Sequence, residues 1–145
     1  MKIDRFINIQ KTDFDEAYQE IQNGRKVSHW MWYIFPQVKG LGSTSTSLYY
    51  GIDGLKEAEE YLNNEFLYNN IVKISNELLK LNTNDPEEVF GYIDALKLRS
   101  SMTLFSEVQK RSNNLINPKT DVFDKVIEKY YNGEYDNLTL NILDK

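Results

Sequence analysis

Phe66-Leu67-Tyr68-Asn69-Asn70-Ile71-Val72-Lys73-Ile74-Ser75-Asn76-Glu77-Leu78-Leu79-Lys80-Leu81 sets Leu67, Ile71, Ile74, Leu78 and Leu81 at intervals of three and four residues. Side chains at that spacing lie over one another on an α-helix, so the stretch predicts a helix with one aliphatic stripe that must be buried across a core. The chain reads the same way on both sides of it. Upstream, Asp53 to Leu62 carries Leu55, Ala58, Tyr61 and Leu62 on one side and ends at Asn63-Asn64. Downstream, Asp85-Pro86-Glu87-Glu88 places a cap, a proline at the first helical position and two acids in the first turn, a strong helix start. Beyond Gly91, Asp94 to Val108 reads as a further helix carrying Leu96, Met102, Leu104 and Phe105, with Ser100 and Ser101 lowering its propensity.

Nearer the termini the signals are local. Thr12-Asp13-Phe14-Asp15-Glu16 predicts a helix opening, followed by Phe14, Ala17, Tyr18 and Ile21 as its apolar stripe and Gly24 as its stop. His29 to Phe35 has no decisive period and is read as a short buried helix, with a strand as the competing assignment; Pro36 ends it. Ser43 to Ser47 is read as a loop and helix cap, Lys110 to Thr120 as a polar connection, Asp121 to Tyr131 as a helix closed near Gly133, and Leu138 to Leu143 as a last short turn or helix. No segment sustains strand alternation. The expected fold is all-α: a compact array of about six to eight helices in a single domain, residues 1–145.

Composition narrows the function classes. The 145 residues are 41% hydrophobic, enough for one folded core, and their net charge of −5 opposes non-specific attachment to nucleic acid or anionic membranes. There is no cysteine, hence no disulfide and no thiol nucleophile, and no secretory leader is visible; both suit the cytoplasm. A zinc centre would have one histidine and otherwise carboxylates, an ill-suited donor set, so no metal is expected.

Chemistry concentrates in Gly24-Arg25-Lys26-Val27-Ser28-His29-Trp30-Met31-Trp32-Tyr33-Ile34-Phe35-Pro36-Gln37, which holds the only histidine and both tryptophans. It runs into Gly40-Leu41-Gly42-Ser43-Thr44-Ser45, whose amides and hydroxyls suit a polar ligand. Trp30 and Trp32 lie about 200° apart on a helix, so at least one belongs to the core; Trp30, at helical spacing from Tyr33 and Gln37, is the stacking candidate. Arg25, Lys26 and, from the second basic cluster, Lys97 with Ser101 are candidates to hold an anion, whereas Arg99 should point away from Lys97. His29 and Asp94 are the acid/base candidates, Asp94 having N-capping as its alternative role.

The segments Gly24 to Gln37, Gly40-Leu41-Gly42-Ser43, Asp94-Ala95-Leu96-Lys97-Leu98-Arg99-Ser100-Ser101-Met102-Thr103-Leu104-Phe105 and Phe123 through Leu143 resemble a bacterial family catalogued as domain of unknown function 1810. The resemblance implies a compact, mainly helical fold and supplies no activity. A calpastatin-like label attached to such proteins has no separate basis in these residues. From the residues, the expected function is binding of, or catalysis on, a nucleotide-like or phosphorylated small molecule at Arg25, Lys26, Trp30, Gln37, Gly40, Gly42, Ser43, Ser45, Lys97 and Ser101. The alternative is a non-enzymatic module that offers Trp30 to Pro36 as an exposed anchor to a protein partner.

Overall fold

Leu67, Ile71, Ile74 and Leu78 form the inner face of α5 (Glu65–Lys80), which opens on an Asn64 side-chain cap. The computed structural model describes residues 2–145, and α5 packs there between α1 (Asp4–Gln22) and α7 (Val122–Tyr131), with α4 (Gly54–Asn63) alongside. The remaining helices are α2 (Met31–Ile34), α3 (Ser45–Tyr50), α6 (Pro86–Arg111) and α8 (Asn137–Leu143), making eight among the described residues and no strand. None is long and apolar enough to cross a membrane. One core holds Phe6, Ile21, Trp30, Phe35, Tyr61, Leu98, Phe105 and Phe123.

Helix α1 begins at Asp4, not at Thr12 as the cap signal suggested. Phe6 and Gln10 continue the stripe of Phe14, Ala17 and Ile21 towards the N-terminus, and burial of that longer stripe outweighs the local preference of Thr12 and Asp13 for a cap. The Asp13 carboxylate instead accepts a hydrogen bond from the Tyr33 hydroxyl, tying α1 to α2. At the start of α6 the Asp85 carboxylate accepts from the Glu87 amide at 3.0 Å. Gly91 then breaks the helix at φ 80° and ψ 170°, a left-handed conformation that favours glycine. The second limb of α6 runs past Val108, so Lys110 and Arg111 belong to its last turn rather than to the connection; there their charges complement the helix dipole.

Two devices fix the segment after α2. An isolated parallel bridge joins Val38 to Ile52, with the Lys39 amide donating to the Ile52 carbonyl at 2.8 Å and the Ile52 amide donating to the Gln37 carbonyl at 2.9 Å. The two backbones approach so closely that a Cβ on Gly51 would lie 2.9 Å from the Lys39 Cα. Beside them, the Arg5 guanidinium forks onto both oxygens of Glu57 at 2.9 Å each and donates to the Tyr49 and Gly51 carbonyls, pinning α1 to the α3–α4 corner.

Candidate functional site

Helix α2 presents the half-buried Trp32 to one side of the core, and the bridge at Val38 holds Gln37 beside it. Across from them the second limb of α6 turns Ile93, Leu96, Lys97 and Ser100 to the same side, a helical face of mixed apolar, cationic and hydroxyl character. Leu41 and Gly42 close one end; Arg99, Asp136 and Leu138 close the other. The result is a groove of about 360 Å³, within the range that small-molecule sites occupy. A narrow space of about 10 Å³, walled in part by Gln37, Val38, Gly40, Ser47 and Gly51, adjoins it and shares Trp32, Gln37, Leu41 and Gly42 with it. A larger depression of about 820 Å³ lies along α4. Its walls are mainly lysines and carboxylates without an aromatic ring, and its Glu57 is already held by Arg5.

Charge is organised around Asp94. Its carboxylate takes the Lys26 ammonium at 2.8 Å and the Lys97 ammonium at 3.2 Å. Burial alone would raise the Asp94 carboxyl, but the two ammonium groups outweigh burial and hold it below the usual carboxylate range. Lys97 also lies 4.1 Å from the centre of the Trp32 ring, and Lys26 5.1 Å from that of Trp30. Arg99 donates to the Glu134 and Tyr135 carbonyls at 2.9 Å and pairs with no carboxylate among the described residues. Asp136 caps α8 and accepts from Ser100 and Thr139 hydroxyls.

The loop that delivers Lys26 is organised by Glu20, whose carboxylate accepts from the Val27 and Ser28 amides, the Ser28 hydroxyl and the Trp30 indole at 2.6 to 2.9 Å. Burial disfavours its charge, yet these bonds hold the carboxyl at about 2 against an ordinary 4.5. A group so depressed stabilises the fold fully above pH 4.5 and loses that contribution as pH falls towards 2. Glu20→Ala should therefore lower the unfolding free energy by about 2 kcal/mol at neutral pH, and the gap to wild type in urea titrations should close across that window. A gap independent of pH would contradict the arrangement.

The structure gathers some of the expected residues and separates others. Gln37, Gly42 and Lys97 line the groove, Gly40 lines the small space behind it, and Lys26 and Asp94 stand under Lys97. Arg25, His29, Ser43 and Ser45 are exposed and outside both linings. Trp30 is 1% exposed and bonded to Glu20, so its indole packs in the core, in T-shaped contact with Phe90, and cannot stack on a ligand there. Ser101 is fully buried, its hydroxyl unpaired, and does not share the Lys97 face. Asp94 is not the cap of α6, which is Asp85, and Arg99 does not point away from Lys97's groove, because its long side chain turns back along the wall.

Sequence reasoning missed Trp32, Leu41, Ile93, Leu96, Ser100, Asp136 and Leu138. The 93, 96, 97, 100 spacing on one helix was the signal that would have found the α6 wall; that Ile93 and Leu96 stay exposed there is visible only in the structure.

The same architecture is found in a solved protein. The chain superposes with a TM-score of 0.88 on the conserved hypothetical protein Rv1873 from Mycobacterium tuberculosis, known from a crystal structure at 1.38 Å. The two are 34% identical over 99% of this chain and 96% of that one. No curated protein matches the chain. Residues 1–143, which include every wall of the groove, match the family described as Protein of unknown function (DUF1810), and the chain belongs to that family.

Proposed function

We propose that the groove binds a small, flat, phosphorylated ligand of the nucleotide type. The observation that carries this reading is the Trp32 indole lying against the Lys97 ammonium at 4.1 Å in a groove that also holds Arg99. An aromatic face suits a planar ring, and two nearby cations suit the anionic group attached to it. Lys26, Lys97 and Arg99 against Asp94 and Asp136 leave one positive charge, so the groove is locally cationic on a chain whose net charge is −5. Asp94 can retain Lys26 when Lys97 turns to a ligand, which makes Lys97 the cation that is cheap to hand over.

The reading is binding rather than catalysis. His29 lies outside the lining, and Asp94 is held ionised between two cations, a poor general base. The alternative of an exposed Trp30 to Pro36 anchor is left with little surface, since Trp30, Met31, Ile34, Phe35 and Pro36 are buried and only Trp32 and Tyr33 are half-buried.

A thermal-shift screen against nucleoside phosphates, ADP-ribose and sugar phosphates tests the proposal. A ligand at about one hundred times its Kd adds roughly 2.7 kcal/mol, which raises the midpoint by about 5–10 °C in a domain of this size. Trp32→Ala and Lys97→Ala should each weaken the hit by about tenfold or more while retaining the fold. No shift across the panel, or a shift that survives both substitutions, contradicts the proposal.

A further inference from the structure

The groove contains one feature that stacking and charge leave unexplained. Gln37 is 8% exposed, and its Nε2 is buried with no hydrogen-bond partner. The side chain lines both the groove and the small space behind it, and its backbone is clamped by the Ile52 amide. Its neighbours leave the amide unmet: Trp32, Val38 and Leu41 carry no acceptor in their side chains, and the two oxygens that share the small space, the Ser47 hydroxyl and the Tyr50 phenol, make no bond to it. A buried amide donor left unpaired destabilises the fold, whereas methionine of similar size would not. The side chain therefore makes physical sense as one whose partner is a ligand.

We propose, building on the nucleotide reading above, that Gln37 determines the specificity of the groove and that the ligand is an adenine nucleotide. A carboxamide sets an N–H donor beside a carbonyl acceptor, and the complementary partner is a ring edge with an acceptor beside a donor. Adenine presents that pair through its ring nitrogen and its exocyclic amine, the pairing by which glutamine reads adenine in nucleic acids. The base would take the place of the Lys97 ammonium over the Trp32 ring, with its edge towards Gln37, and the displaced ammonium and Arg99 would take the phosphate.

The test uses AMP, purine riboside 5′-monophosphate, which lacks the amine, and ribose 5-phosphate, which lacks the base, titrated calorimetrically into the wild type, Gln37→Met and Gln37→Glu. Wild type should prefer AMP over the amine-free analogue by about tenfold or more. Gln37→Met should abolish that preference and, without ligand, melt about 3 °C higher because the unpaired donor is gone. Gln37→Glu, which keeps the shape and replaces the donor, should lose AMP as well. If wild type binds AMP but Gln37→Met binds it equally, or melts lower than wild type, the specificity role is overturned and the groove reading stands. Equal wild-type affinity for AMP and the amine-free analogue overturns it too. If wild type binds none of the three, the adenine assignment is overturned, whereas the groove reading falls only if the whole thermal-shift panel is also silent.

Discussion

Glu57→Ala is expected to lower the unfolding free energy by about 3–5 kcal/mol, a fall in Tm of about 10 °C. Glu57 is 4% exposed, and its two oxygens take both terminal nitrogens of Arg5, while the Asp53 amide donates to the same carboxylate at 2.8 Å. Removing the carboxylate leaves the guanidinium, whose side chain is largely out of solvent, facing backbone carbonyls and the Phe6 ring alone. The loss follows from stranding the partner, so Arg5→Met with Glu57→Leu should recover most of it. Burial opposes the charge on Glu57, but Arg5 and the Asp53 amide hold its carboxyl below the ordinary range. Its contribution is therefore intact above the ordinary carboxylate value and declines as pH falls below it. Chemical denaturation of the single and double variants measures both, and a single variant within about 1 kcal/mol of wild type would mean that the pair is solvated after all.

Asp94→Ala is expected to cost about 3 kcal/mol, because the Lys26 side chain is only 8% exposed and loses the one carboxylate it pairs with among the described residues. Lys97 is more exposed and keeps its contact with Trp32, so it contributes less to the loss. Replacing Lys26 as well, as Lys26→Met with Asp94→Ala, removes the stranded charge and should restore about 2 kcal/mol of it. Additive losses in the double variant would show that Lys26 and Asp94 act independently. The contact also carries structural information, since it joins the loop after α1 to α6 and sets where Lys97 stands over the groove.

Helices α5 and α6 were legible because their signals are local: an aliphatic stripe of unbroken period, and Asp85-Pro86 with a glycine break at Gly91. The first turns of α1 were hidden by Thr12 and Asp13, which resemble a cap in isolation and become helix interior only because Phe6 and Gln10 are buried by distant elements. The opposition of Trp30 and Trp32 was also legible, but not which one faces inward. That choice depends on Glu20 reaching the Trp30 indole and on Phe90 packing against it, contacts that no spacing reveals. For the same reason Lys26 and Lys97 could be named as cations while their meeting at Asp94 could not be foreseen. Arg99 illustrates the limit of helical-wheel reasoning, as a long side chain anchored to the Glu134 and Tyr135 carbonyls reaches a wall that its Cα does not face.

The chain holds two tryptophans, one in the groove and one in the core, and their indole N–H resonances therefore give a probe with its own control. Titrating AMP into the ¹⁵N-labelled protein should move the Trp32 signal saturably and leave that of Trp30, bonded to Glu20, in place. If the Trp32 resonance stays fixed at saturating nucleotide, or only the Trp30 resonance moves, the groove is not the binding site and the central claim fails.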